Sequence, residues 1–137
     1  MSEHEIRKVA LSEVPANRKR GADIRVLLSP KTVGATSGLF GVVTLGPDEY
    51  VAEHYHPYSE EYLYVTTGRI TVRLDGVQLV ELAAGEALRV PKNVRHRVTN
   101  ATDEPAVVVF NLAPLAADPA LGHVDTEPLP AEVGASG

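Results

Sequence analysis

The 137-residue chain contains no cysteine and no tryptophan, and its aromatic content is five tyrosines and two phenylalanines. Without cysteine there is neither a disulfide framework nor a thiolate metal site, so any metal must be held by imidazole and carboxylate. Positive charge is also scarce. Thirteen Lys and Arg stand against eighteen Asp and Glu, a net charge of −5, which argues against a nucleic-acid partner because such binding leans on a basic face. The one basic run, Arg18-Lys19-Arg20, reads as a solvated loop. No apolar run reaches the length of a membrane span, and the N-terminal Met-Ser-Glu-His-Glu lacks the apolar region of a signal peptide. A cytoplasmic protein without a membrane partner is therefore expected. No long helical period occurs either. A chain of this length is one domain that buries about two-thirds of its unfolded surface.

What is present is a series of short strands separated by Gly, Pro and Asp. Ile24 to Leu28 reads as a strand ended by Ser29-Pro30, and Leu39 to Leu45 as a buried strand. Ile70, Val72 and Leu74 alternate with Arg69, Thr71 and Arg73, and Asp75-Gly76 turns that strand into the next. Val107 to Leu112 is apolar on both faces, as in a central strand or one covered by another subunit. Such a pattern means an all-β, antiparallel double sheet.

Gly46 to Gly68 carries the chemistry. His54 and His56 are one residue apart, so a strand places both imidazoles on one face, roughly 7 Å apart along the backbone. Pro57 and Ser59 break that strand. On the return, Glu61 shares a face with Leu63 and Val65, and its carboxylate comes back beside the imidazoles. Glu60 points the other way by alternation, as an ion-pair partner for an arginine. A second segment, Gly85 to Asn100, is a strand, a Pro91-Lys92-Asn93 turn and a strand bearing His96. Taken singly, each histidine is more often a satisfied or solvated side chain than a ligand.

Gly46, His54, His56, Glu61 and Gly68 match the first cupin motif in spacing, and Gly85, Pro91, His96 and Asn100 match the second. The chain therefore resembles the cupin family. One departure is Asn93, where glycine is usual; asparagine tolerates a left-handed backbone, so the turn is expected to survive. The resemblance implies a jelly-roll barrel, a double-stranded β-helix, over residues 23–117. An arm over 1–22 and an irregular Pro/Ala-rich tail over 118–137, disordered after about residue 130, would flank it. It also implies His54, His56, Glu61 and His96 as ligands of one divalent ion, with zinc first and iron, manganese or nickel as alternatives. Leu63, Val65, Ile70, Val72, Leu74, Leu88, Val90 and Val98 would then form an apolar pocket over the ion. Tyr62 and Tyr64 point outward by parity, where a homodimer interface is expected. Tyr55 and Tyr58 read as turn packing more readily than as the mouth of the pocket. His4 reads as solvated, and His123, within Leu-Gly-His-Val-Asp, reads as a surface residue more readily than as a cap over the pocket.

Longer strings narrow the resemblance. Arg25 to Gly34, Ala35 to Gly38, Glu53 to Val65 and Leu121 to Glu127 are similar to the small cupin cyclases of bacterial aromatic (type II) polyketide pathways. That similarity implies a polyketide or aromatic small-molecule substrate and an intramolecular aldol condensation. No side chain stands out as general base, which leaves metal-bound water in that role. The rival readings are a cupin oxygenase acting on an aromatic or diketone substrate, and a ligand-binding cupin without turnover.

Overall fold

Strand-forming runs here are too short, and the turn residues between them too frequent, for any helix with its own buried stripe. The computed structural model describes residues 5–130. Its strands are β1 (Asp23–Leu28), β2 (Leu39–Leu45), β3 (Tyr50–Tyr55), β4 (Glu60–Thr67), β5 (Arg69–Leu74), β6 (Gln78–Ala83), β7 (Ala87–Val90), β8 (His96–Thr99), β9 (Ala106–Ala113) and β10 (Val124–Asp125). They pair antiparallel into two five-stranded sheets, ordered β1-β2-β9-β4-β7 and β10-β3-β8-β5-β6. This is the all-β jelly roll expected from the motifs. The expected residues 131–137 tail end and His4 lie outside the described residues.

Between the sheets Leu45, Val65, Ile70, Val72, Val90 and Val108 are almost completely buried, each worth roughly 1.5–3 kcal/mol of transfer free energy. The period-two pattern of β4 is preserved: Glu61, Leu63 and Val65 are buried while Tyr62 and Tyr64 are exposed. β9 lies between β2 and β4, with Ala106, Val108 and Phe110 buried toward the core and Val107, Val109 and Asn111 only partly covered on the outer face.

The turns follow backbone chemistry. Asp75 (φ 50°) and Gly76 (φ 77°) are both left-handed in the β5–β6 hairpin, and Asn93 takes φ 67° where the motif usually has glycine. Gly68 at φ 77° ends β4, where a Cβ would sit 2.4 Å from the Pro105 carbonyl oxygen. One local feature differs from the sequence reading. The Ser29-Pro30 break starts a one-turn helix α1 (Pro30–Val33), because Ser29 caps it by accepting from the Thr32 N–H. Before β1 the chain holds a 3₁₀ turn at Leu11–Glu13 and a bridge between Asn17 and Ile24. Among the described residues no helix is long and apolar enough to cross a membrane.

Candidate metal centre

His54 and His96 face each other across the β3–β8 pair, one residue after a bulge that sets Ala52 and Glu53 opposite Arg97 alone. Such a bulge bends and twists the strand, re-aiming the side chains that follow. His56 lies just beyond β3. Its carbonyl accepts from the Asn93 N–H at 3.1 Å, which ties the two motif turns together. Asn100 is fully buried. Its side-chain amide donates to the Leu45 and Glu104 carbonyls, while its backbone bonds the turn before β3. That asparagine is a scaffold residue and does not reach the site.

Each imidazole is held by its Nδ1. His54 donates to the Ala52 carbonyl at 2.7 Å, His96 to Val94 at 2.9 Å and His56 to Gly122 at 2.9 Å. These bonds fix the tautomer that leaves Nε2 as a lone pair, the arrangement in which histidine ligates metals. Ring centroids of His54 lie 4.9 Å from His56 and 4.3 Å from His96. Glu61 enters from β4, with one oxygen 3.3 Å from His56 Nε2 and the other 3.4 Å from His96 Nε2. Both Nε2 atoms are buried and lack a hydrogen-bond partner. Lone pairs thus point at a buried carboxylate, and only a shared cation, proton or metal, relieves that arrangement. His56, Glu61 and His96 offer ligand atoms that all lie within 4.8 Å of one another. The residues present therefore fit a transition-metal ion, and no alternative donor chemistry is needed.

The electrostatics agree. Burial alone would raise the Glu61 carboxyl, but the His56 and His96 imidazoles overcome it and hold the group well below the usual carboxylate range. Burial would lower His96, and Glu61 outweighs it, so His96 is raised. His54 is pushed down to about 2 by burial first and by the neighbouring His96 second. Glu60 is outside the site. It pairs with Arg89 and accepts from the Tyr62 hydroxyl, as alternation along β4 requires.

Three expectations need correction. His123 is not a surface residue: its ring stacks on His54 at 4.3 Å and 12° between planes, and it forms a second donor group with His54 and His56. β10 adds to the edge of β3 through Val124↔Tyr55 and Asp125↔His54, which carries the preceding residue inward. Burial and then the nearby Arg20 push His123 down to about 4. Second, Arg20 is not in a solvated loop. Arg18 does pair outward with Glu49, but Arg20 lines the cavity and its Nε contacts His123 Nε2 at 2.8 Å. That Nε2 serves one neighbour at a time, accepting from Arg20 or donating to Asp125 at 2.7 Å. Third, the cavity of about 180 Å³ is walled mainly by β1, β2 and β9, through Ile24, Val26, Leu39, Val43, Phe110 and Leu112. Of the residues expected there only Leu63 and Val98 line it. Val65, Ile70, Val72 and Val90 are packed in the core, with Leu74 and Leu88 partly buried against it. Tyr55 and Tyr58 are not among the lining side chains.

The strap that brings His123 inward is clamped from outside. Glu53, buried on the outer face of β3, pairs with Arg73 and Arg95 and accepts from the Thr126 hydroxyl at 2.8 Å. Arg97 donates to Glu127 at 3.0 Å while lying over the Tyr50 ring. No local pattern in the sequence marks these pairs.

Comparison with known proteins agrees with the fold. A crystal structure of an uncharacterized conserved protein with a double-stranded beta-helix domain from Klebsiella pneumoniae superposes with a TM-score of 0.71 at 20% identity, covering 90% of this chain and all of that one. Protein SchB of Streptomyces halstedii is 54% identical over 127 residues, 93% of this chain and 91% of the relative. Tetracenomycin polyketide synthase protein TcmJ of Streptomyces glaucescens is 50% identical over 123 residues, 90% of this chain and 82% of the relative. The family model described as Cupin domain matches residues 41–111, the span holding the proposed ligand-bearing strands, and so the chain belongs to the cupin family.

Proposed function

We propose that this protein is a metal-dependent cyclase of aromatic polyketide biosynthesis, closing a ring in a poly-β-ketone by intramolecular aldol condensation. The observation that carries the reading is the trio His56, Glu61 and His96, with His54 packed against the His56 and His96 rings, beside a largely apolar cavity and with two buried Nε2 atoms unsatisfied. Similarity to a tetracenomycin polyketide synthase protein supports the substrate class. In this reading those four residues hold a divalent ion, zinc first.

When bound, the ion supplies Lewis acidity to an enolate oxygen. The protein's own part is orientation. Ile24, Val26, Leu39 and Phe110 exclude water and fold a flexible chain so that one carbon meets one carbonyl. The backbone carbonyls of Ala52, Val94 and Gly122 keep the three imidazoles aimed inward.

We also assign the protein to the cytoplasm and to a homodimer formed through the outer face of β2, β9 and β4. Phe40 and Tyr62 flank Asn111 there, and Tyr64 lies beside Val109. Phe40, Tyr62 and Tyr64 are each more than a third exposed. Light scattering on the full-length protein should give twice the chain mass, and a clean monomer would remove the dimer. The activity itself is tested by mass spectrometry after incubation with a poly-β-ketone. A cyclase leaves the mass unchanged or removes water, whereas a product that has gained oxygen would mean an oxygenase.

A further inference from the structure

Among the described residues Arg20 is the single cavity-lining one with a permanent positive charge. It is held in place, not carried on a mobile loop. Its carbonyl accepts from the Ala52 N–H at 3.0 Å, and Ala22 is fully buried. Between them Gly21 holds φ 111°, where any Cβ would fall 2.2 Å from the Tyr50 carbonyl oxygen. The side chain is 27% exposed. Only its Nε is engaged, by His123 at 2.8 Å and by Asp125 at 3.5 Å. Among the described residues no hydrogen bond or ion pair takes up the terminal amino groups. These amino groups keep solvent access, so a molecule in the cavity meets donors free to engage it. Of the polar side chains that share the lining, Asn17 Oδ1 accepts from the Lys19 N–H and Glu61 lies between the His56 and His96 imidazoles.

A guanidinium is a planar fork that suits two coplanar oxygens sharing negative charge. We propose that Arg20 is a substrate-binding residue that recognises the paired oxygens of an enolised 1,3-dicarbonyl unit. It would thereby select such chains over simple ketones. The proposal rests on the cyclase reading for its substrate class and adds to it the group that determines specificity.

The test uses the full-length, metal-loaded protein and three probes titrated by calorimetry: benzoylacetone, the monoketone benzylacetone and benzoate. Arg20→Gln is expected to weaken benzoylacetone about tenfold or more and to leave benzylacetone within about twofold. Arg20→Lys, which keeps the charge without the fork, should recover part of the loss. Metal content by elemental analysis should be equal in all three proteins. Unchanged benzoylacetone binding in Arg20→Gln would overturn the proposal. So would a parallel loss of both ketones or of the metal, because Arg20 would then be structural. Arg20-dependent binding of benzoate without benzoylacetone would overturn it too. Ring closure is scored separately. Absence of cyclised product beside Arg20-dependent diketone binding would sink the cyclase reading and leave this role standing.

Discussion

Two sets of residues meet at the cavity, and they were not equally visible. His54, His56, Glu61 and His96 lie within or beside neighbouring strands, so period-two alternation and two fixed spacings place them. Arg20 and His123 come from the segments before β1 and around β10, separated by 103 residues, and meet with Nε 2.8 Å from Nε2. Nothing local in Arg18-Lys19-Arg20 separates the arginine that pairs outward with Glu49 from the one that lines the cavity. The difference teaches that strand periodicity encodes direction, whereas a strap acquires direction only from what it docks against.

The largest effects should come from the motif side. His96→Ala or Glu61→Gln is expected to lower metal affinity by ~100-fold or more, since even outer-shell losses cost 10–100-fold. Elemental analysis after dialysis reads this. A variant that kept one metal per chain would break the distinction between the two sets.

The straps should respond in stability first. Gly21→Ala puts a Cβ against the Tyr50 carbonyl at φ 111° and should cost ~2–3 kcal/mol in denaturant unfolding. Glu53→Ala removes the buried carboxylate that joins Arg73, Arg95 and Thr126. A loss of ~2–3 kcal/mol is expected, with faster proteolysis near residues 114–127 and metal content retained. If the metal were lost together with the strap, the two sets would form one cooperative unit.

Two substitutions sharpen the comparison by doing little. Glu60→Gln, on the solvent side of β4 opposite Glu61, should leave metal content and unfolding midpoint unchanged. A metal-deficient Glu60→Gln protein would invert the assignment made from alternation. Asn93→Gly restores the residue usual at this left-handed turn and should shift stability by no more than ~1 kcal/mol in either direction.

The sheets themselves were legible because β-branched runs and Asp75-Gly76, Gly68 and Asn93 turns act locally. The β3 bulge was not, since two residues opposing one is a property of the pairing with Arg97 and leaves no mark in Ala52-Glu53. The cavity walls were misassigned for a related reason. Parity along β5 and β7 distinguishes inside from outside, but not the packed end of a barrel from the open one. Ile70 and Val90 fill the first, and Ile24, Leu39 and Leu112 on other strands line the second. His123 was hidden by a tail that lacks periodicity, although its ring is only 22% exposed.

The central claim is that His54, His56, Glu61 and His96 bind one metal ion. Anomalous diffraction from crystals of the zinc-loaded full-length protein tests it most directly. The account predicts one strong peak bonded to three imidazole Nε2 atoms and a Glu61 oxygen. A peak elsewhere, or no peak in a protein saturated with zinc, would contradict it.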